Sequence, residues 1–450
     1  MLHNHSAVVK LRNNESLLCS PLTGAIDVVE ETTLKALAKI ETTGKYSSTN
    51  AEMIDYLIRR GHLSEASHEE MFMAMKNYCQ AYAKEMSQIK RHIIIPTYSC
   101  NLRCTYCFEK HVLKAKSDWL NKLASRKQID EIFKAIVKLD QDVKHLDSIV
   151  LYGGEPLQWM NADIIKYVLD RGQDLGYSFM VVTNGVELAQ FVPCLSKYDI
   201  RKIQVTLDGP KEIHDKRRFK VNGKGSFDDI TNGIETAFKA DLPVWLRVNV
   251  DSVNLEHLPS LADFAISRGW GDSMHIFLMN VHQSCYNKYC HAISSSDFMK
   301  RVIRLVLDNP SLRIFRETFN FVYLEKIFLE GERYRPRFWS CGANTSLFIY
   351  DPHGKIYPCY ESVGISEHAM GEYSPQLKFD DTVYQLWRGR TVFAIPECSH
   401  CNLSFFCGGG CAILAHTKTG SIMKPDCDLI QSIVRDVIPF LYERNETVST

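Results

Sequence analysis

Cys100, Cys104 and Cys107 stand close enough in the chain to bind one inorganic centre. Seven more cysteines, Cys341, Cys359, Cys398, Cys401, Cys407, Cys411 and Cys427, repeat the theme towards its end. Together they are ten of the fifteen cysteines, and thiols so spaced form disulfides, hold zinc or ligate iron–sulfur clusters. The opening residues carry no basic segment followed by a long apolar one, and no uncharged apolar run approaches the thickness of a bilayer. The expectation is a cytoplasmic chain with no membrane partner, whose thiols stay reduced for metal or redox chemistry. Three thiolates spaced x3 and x2 can take three corners of a [4Fe-4S] cube, leaving one iron open to a small ligand. Structural zinc would close its shell with four ligands, more often from CxxC pairs. Tyr106 and Phe108 flank the third thiol and would shield a cluster.

The elements that must position these thiols are legible in outline. From residue 91 to 310, short β-branched runs alternate with helical periodicity. Strands are predicted at His92–Pro96, Ile149–Tyr152, Phe179–Val182, Ile203–Leu207, Val244–Val250 and His275–Met279. Helices are expected around Ile129–Val137, Ile164–Leu169, Ile230–Phe238 and Leu258–Ile266. Strand–helix alternation implies an α/β fold with a parallel sheet, open or rolled into a partial (β/α)6 TIM-like barrel, with its chemistry at the C-terminal strand ends. The first cysteine array follows the first such strand. Tyr152-Gly153-Gly154-Glu155-Pro156 ends the second, Thr183-Asn184-Gly185 the third and Thr206-Leu207-Asp208-Gly209 the fourth.

Residues 1–90 read as a separate small α+β module. Strand alternation precedes the turn Pro21-Leu22-Thr23-Gly24 and resumes at Ile26–Val29, helical periodicity runs through Leu34–Ala38 and Met53–Ile58, and Ser67-x-x-Glu70 is a capping box. Strands with three short helices fit a winged-helix-like unit. Residues 281–296 read as a loop insertion, 311–340 as a connector with a helix around Phe319–Leu329, and 341–450 as a cysteine-rich unit ending in a helix. With 53 basic and 53 acidic residues, the chain is a poor match for nucleic acid.

The spacing Cys100-x3-Cys104-x2-Cys107, followed one strand later by Gly153-Gly154-Glu155-Pro156, resembles the radical S-adenosylmethionine (SAM) superfamily. The resemblance implies that these thiols hold a [4Fe-4S] cluster whose open iron binds SAM. Reductive cleavage would then give a 5′-deoxyadenosyl radical. Gly153, Gly154, Glu155, Pro156, Asn184, Thr206 and Arg217 are the implied SAM contacts, with Asn249 a further one. The C-terminal cysteines resemble the SPASM extension, in the pattern Cys341-x12-Gly354-x4-Cys359, then Cys398-x2-Cys401-x5-Cys407-x3-Cys411, then Cys427. That implies two auxiliary [4Fe-4S] clusters, one on Cys398, Cys401, Cys407 and Cys427, the other on Cys341, Cys359 and Cys411 with its fourth corner open or filled from afar, Cys285 and Cys290 being candidates.

Members of this kind mature ribosomally made precursor peptides, forming thioether, carbon–carbon or carbon–oxygen links, and their N-terminal module grips the leader. A low-potential donor of flavodoxin or ferredoxin type is the implied electron source. Two other readings stay open. Anaerobic sulfatase-maturing enzymes oxidise a protein Ser or Cys to formylglycine, with an aspartate after the cysteine that Cys359 matches. Tyr360 stands there and is a poor base near neutral pH, with Glu361 next. A non-catalytic iron–sulfur carrier or scaffold would explain the thiols but not the three strand ends.

Overall fold

A computed structural model describes residues 2–11, 14–43, 51–86, 88–143, 147–317 and 335–448. Apolar runs with buried side chains on both faces build the central sheet: β1 (Arg91–Ile94), β2 (Ile149–Leu151), β3 (Phe179–Thr183), β4 (Ile200–Thr206), β5 (Val244–Val250) and β6 (His275–Asn280). All six are parallel neighbours in chain order, as the strand–helix alternation predicts. The covering helices include α1 (Arg126–Asp140), α2 (Ala162–Asp174), α3 (Leu188–Leu195), α4 (Phe227–Lys239) and α5 (Leu258–Ser267). In α1, Ser125 and Gln128 close a capping box, and Ile129, Ile132, Phe133 and Ile136 are buried. Burying each such side chain is worth about 1.5–3 kcal/mol.

The sheet is wider than six strands. β7 (Phe315–Glu317) pairs in parallel with β6, inside the segment expected to be a connector with one helix. β8 (Leu347–Tyr350) comes from the cysteine-rich end of the chain and pairs in parallel with β1, Leu347 opposite Arg91 and Tyr350 opposite Ile94. Three short antiparallel strands continue from it. The C-terminal cysteines therefore hang from the same sheet as the first array. The helix expected around Phe319–Leu329 lies outside the described residues.

At the N-terminus, strands Ala7–Lys10, Ser16–Cys19 and Ile26–Val29 form an antiparallel sheet, followed by helices Glu31–Thr43, Ala51–Arg59 and His68–Met86. The capping box at the last helix forms as read, with reciprocal Ser67–Glu70 bonds. That helix is 19 residues long, and it packs Phe72, Met75, Cys79 and Tyr82 against Phe338, Trp339, Phe393 and Phe405 beside Cys398. No helix among the described residues is long and apolar enough to cross a membrane.

Candidate functional site

The loop after β1 carries Cys100, Cys104 and Cys107 over the C-terminal end of the sheet, where they line a cavity of about 170 Å3. Gly154 makes this possible. A Cβ there would lie 2.2 Å from the Tyr98 carbonyl oxygen and 2.4 Å from that of Ser99, so only glycine lets the cysteine loop cross the end of β2. Gly154 N–H donates to Thr97 O at 3.2 Å, and Glu155 N–H to Ser99 O at 2.9 Å, which fixes that crossing. Both Gly153 and Gly154 also line the cavity.

Glu155 is likewise turned inward. Its carboxylate accepts from the Thr183 hydroxyl (2.6 Å), Asn184 N–H (2.5 Å) and Leu157 N–H (2.8 Å), tying the ends of β2 and β3 together. Burial pushes its pKa up to about 7 against those three hydrogen bonds. Asn184 bridges to the cysteine loop, with its Nδ2 2.7 Å from Asn101 Oδ1 and 3.8 Å from Cys100 Sγ. Thr206 lines the same cavity, whereas Pro156 does not.

Arg217 is a correction. It is buried, but away from the cavity wall: its guanidinium pairs with Asp208 (3.4 Å) and Asp251 and donates to Asn249 O at 2.9 Å. The neighbouring Arg218 takes the wall position, donating to the Tyr106 hydroxyl at 2.8 Å. Adjacent residues at a helix end point about 100° apart, and local sequence does not say which one faces in. Sequence reasoning named Tyr152 and Glu361 without giving either a role and passed over Arg247, His282 and Asn287, and all five lie on this cavity. Arg247 had a signal. Val244, Leu246, Val248 and Val250 alternate towards the helices, so Trp245, Arg247 and Asn249 must face the interior.

The donors suit the groups that the motif implies. Burial pushes Cys100 up to about 12, with Cys104 and Glu155 adding to it, and burial raises Cys107 as well, with Glu109, Cys104 and Cys100 adding to it. Burial also raises Cys104, while the Arg218 guanidinium opposes it. Leu102 N–H donates to Cys100 Sγ at 3.4 Å. Crowded buried thiols of this kind become thiolates only beside a cationic centre. Among the described residues no three such side chains are set for a single metal ion, and a cubane holds its ligands farther apart than one ion does. Three buried polar atoms on this cavity, Glu109 Oε1, Arg218 Nε and Asn287 Oδ1, have no hydrogen-bond partner, the signature of a wall built for a polar small molecule.

The C-terminal thiols separate into two electrostatic sets. Burial raises Cys398 to about 12, with Cys407, Cys401 and Cys427 reinforcing it. Burial raises Cys359, with Cys411 and Cys341 reinforcing it. Gly408, Gly409 and Gly410 all adopt positive φ between the sets. A Cβ on Gly410 would lie 1.9 Å from Asp426 O. The buried Arg390 guanidinium then clasps the wrap, donating to the carbonyls of Gly410 (2.8 Å), Gly409 (2.9 Å), Lys424 (2.9 Å) and Ile422. Cys285 lies 3.5 Å from His416 Nδ1, and both it and Cys290 are exposed. A second cavity, of about 710 Å3, reaches Cys341, Cys407 and Cys411 and shares Asn280 and His282 with the first. At that junction His282 Nε2 meets Glu361 Oε1 at 2.9 Å. Burial opposes the imidazolium, but the Glu361 carboxylate outweighs it and holds His282 above its usual value.

A parallel sheet whose first strand delivers three thiols, and whose next strand ends hold a polar cavity beside them, defines an enzyme that works on a small cofactor at the C-terminal edge of its sheet. Residues 94–265 match the Radical SAM superfamily, so the sheet and its cavity are a radical SAM domain and the chain is an enzyme. The match implies SAM and a [4Fe-4S] cluster. The radical SAM cyclopropyl synthase TigE of Paramaledivibacter caminithermalis is 25% identical over 378 residues, 78% of this chain and 74% of that protein. The structure of anSMEcpe with bound AdoMet and the Cp18Cys peptide aligns with a TM-score of 0.62 at 18% identity, over 79% of this chain and 99% of that one. SuiB of Streptococcus suis, bound to precursor peptide SuiA, aligns with a TM-score of 0.58 at 17% identity, over 96% of this chain and 100% of that one.

Proposed function

We propose that this radical SAM enzyme modifies a ribosomally made peptide or protein, forming a thioether, carbon–carbon or carbon–oxygen link. The observation that carries the reading is that Cys100, Cys104 and Cys107 line the strand-end cavity, while the cavity that joins it reaches Cys341, Cys407 and Cys411 of the C-terminal array. In this reading Cys100, Cys104 and Cys107 hold the SAM-binding cluster. Gly153, Gly154, Glu155, Asn184 and Thr206, with Arg218 in place of Arg217, hold SAM. The seven C-terminal cysteines form a SPASM unit with two auxiliary clusters, one on Cys398, Cys401, Cys407 and Cys427 and one on Cys341, Cys359 and Cys411. SAM on its cluster supplies hydrogen-atom abstraction from an unactivated C–H bond.

The chain's own residues supply geometry and exclusion. Glu155 keeps two strand ends in register, Phe108 and Tyr152 wall the cavity, and the His282–Glu361 pair faces whatever segment threads from one cavity to the other. The N-terminal module, with its Ile26–Val29 strand on a sheet edge and Val28 exposed, would take a leader by strand addition. The TigE likeness and the peptides bound to anSMEcpe and SuiB support a peptide substrate, and a cytoplasmic setting suits the reduced thiols.

One observation favours a second reading, oxidation of a protein Ser or Cys to formylglycine. Tyr360 follows Cys359 and packs on Tyr152, with ring centroids 4.7 Å apart, yet Glu361 puts a carboxylate on the cavity wall one residue later. Mass spectrometry of candidate peptides encoded beside the gene, after anaerobic turnover with SAM and dithionite, separates the readings. A crosslink shows as loss of two hydrogens spanning two residues, and formylglycine as a new aldehyde on one. Deoxyadenosine formed while every candidate peptide stays unchanged would remove the peptide reading. Reconstituted iron near four per chain, instead of about twelve, would remove the auxiliary clusters.

A further inference from the structure

The C-terminal thiols share their interior with a cation that has hydrogen bonds but no counter-ion. Arg390 is 0% exposed. Its guanidinium donates to the carbonyls of Gly410, Gly409, Lys424 and Ile422. Four carbonyl dipoles satisfy its N–H groups yet bring no negative charge. An arginine cannot shed its proton, and a guanidinium taken out of water without a counter-charge is strongly unfavourable.

Among the described residues no carboxylate fills that place. The acids on the adjoining loops are spent elsewhere, Asp426 on Lys418 and Glu397 on Lys424. Burial pulls the Arg390 guanidinium below its usual value, and the groups that oppose this are thiolates, Cys411 first, then Cys341, Cys398 and Cys407. They come two from each set. Cys341 and Cys411 go with Cys359, whereas Cys398 and Cys407 go with Cys401 and Cys427. The chain imposes this sharing. Gly408, Gly409 and Gly410 are the whole span from Cys407 of one set to Cys411 of the other, and Arg390 holds two of their three carbonyls.

Arg388, two residues earlier, provides the contrast. It is half-buried, lies 4.7 Å over the Phe348 ring and donates to the carbonyls of Ala343 (2.7 Å) and Leu347 (2.6 Å). Burial lowers it, Tyr384 opposes that, and the thiolate beside it is Cys341 of the nearer set.

We propose that Arg390 is the shared counter-charge of the two C-terminal thiol sets, favouring an anionic cluster on each side and raising the reduction potential of both. The inference rests on the auxiliary-cluster reading above and assigns this residue an electrostatic role within it. Reduction adds one electron, and so one negative charge, to either cluster, and no atom or proton is transferred. A fixed positive charge lodged between them favours that added charge on both sides. Arg388 should do the same for the Cys341 side alone.

The test is a redox titration followed by EPR on the full-length, anaerobically reconstituted protein, with dithionite as reductant and neither SAM nor peptide present. Cys359→Ala and Cys401→Ala assign the two auxiliary signals. Arg390→Gln removes the charge and Arg390→Lys keeps it. The expected result in Arg390→Gln is reduction of both auxiliary clusters made about tenfold less favourable, a fall of about 59 mV for one electron. Arg390→Lys should stay within about threefold of the parent, and Arg388→Gln should move only the cluster on Cys341, Cys359 and Cys411. Potentials unmoved in Arg390→Gln would overturn the assignment. So would equal shifts in the Gln and Lys variants, which would make Arg390 a backbone brace. Should Arg390→Gln hold no C-terminal iron, the iron content decides: retention by Arg390→Lys upholds the charge, and loss from both overturns it. Parent iron near four per chain would remove the auxiliary clusters and this inference together, whereas full iron with unmoved potentials removes this inference alone.

Discussion

The two cysteine-bearing regions hang from one sheet yet are built on opposite plans. At the end of β1 the thiols share their cavity with polar strand ends, and buried groups such as Arg218 Nε and Glu109 Oε1 are left without partners. The C-terminal thiols are wrapped by three left-handed glycines and clasped by Arg390, which spends its guanidinium on four backbone carbonyls. The first plan leaves room for a ligand that comes and goes. The second closes the backbone tightly around its thiols. The difference teaches that a shared residue type does not imply a shared role; a polar cavity beside one set of thiols and a glycine wrap held by Arg390 at the other tell the roles apart.

Breaking each plan at its weakest point should give unlike results. The largest contrast is between Cys104→Ala and Cys401→Ala. The first should abolish deoxyadenosine formation and remove about four irons per chain, while the second should remove a similar amount of iron and leave SAM cleavage measurable. Persistent cleavage in Cys104→Ala would end the assignment. Gly154→Ala should come next, since its Cβ has no room under the Tyr98 and Ser99 carbonyls. Displacing the cysteine loop by about an ångström should lower deoxyadenosine formation about 100-fold at little cost in C-terminal iron, measurable by chromatography and iron assay.

Arg390→Ala reverses that pattern. Removing a buried guanidinium leaves several carbonyls unsatisfied, a loss of roughly 3–5 kcal/mol in thermal or denaturant unfolding, with C-terminal iron released first. The smallest effect concerns pH. Burial, then the nearby His68, pull His5 down to about 4 from 6.5. The unfolded chain therefore binds more protons between those values, so stability is full above about pH 6.5 and drains as pH falls through the window. His5 and His68 border the pocket that Cys401 shares with the N-terminal module. Acidification should therefore loosen the C-terminal region by about 1–2 kcal/mol and spare the barrel. His5→Gln should flatten the dependence in pH-resolved thermal melts.

Much of this was legible before any coordinates. The ten thiols, the six strands and the Ser67–Glu70 cap are local patterns, and local patterns survive folding. α3 escaped notice because Pro193 interrupts an already short periodicity. β8 escaped because nothing in Leu347–Tyr350 says which distant strand it will meet; pairing partners are chosen by the tertiary fold. Glu155, placed at the cavity by motif, lines it while its carboxylate also ties the ends of β2 and β3 together, whereas Arg217, placed there too, lies in a buried ion pair. Arg390 carries no motif at all. Its importance lies in four carbonyls, those of Gly409, Gly410, Ile422 and Lys424, that only the folded chain brings around it.

The pairing of β8 with β1 also bears on how the protein is made. His92 and Tyr350, bonded across that pair at 2.9 Å, are 258 residues apart in sequence. During synthesis the outer edge of β1 stays unpaired until nearly four-fifths of the chain has left the ribosome. A bare edge of isoleucines is an invitation to pair with another nascent chain. Contacts so distant also close slowly. Expression at low temperature, or with a holdase present, should therefore raise the soluble yield, and truncation before Leu347 should leave the barrel prone to aggregation even though every residue of the first cysteine array is intact.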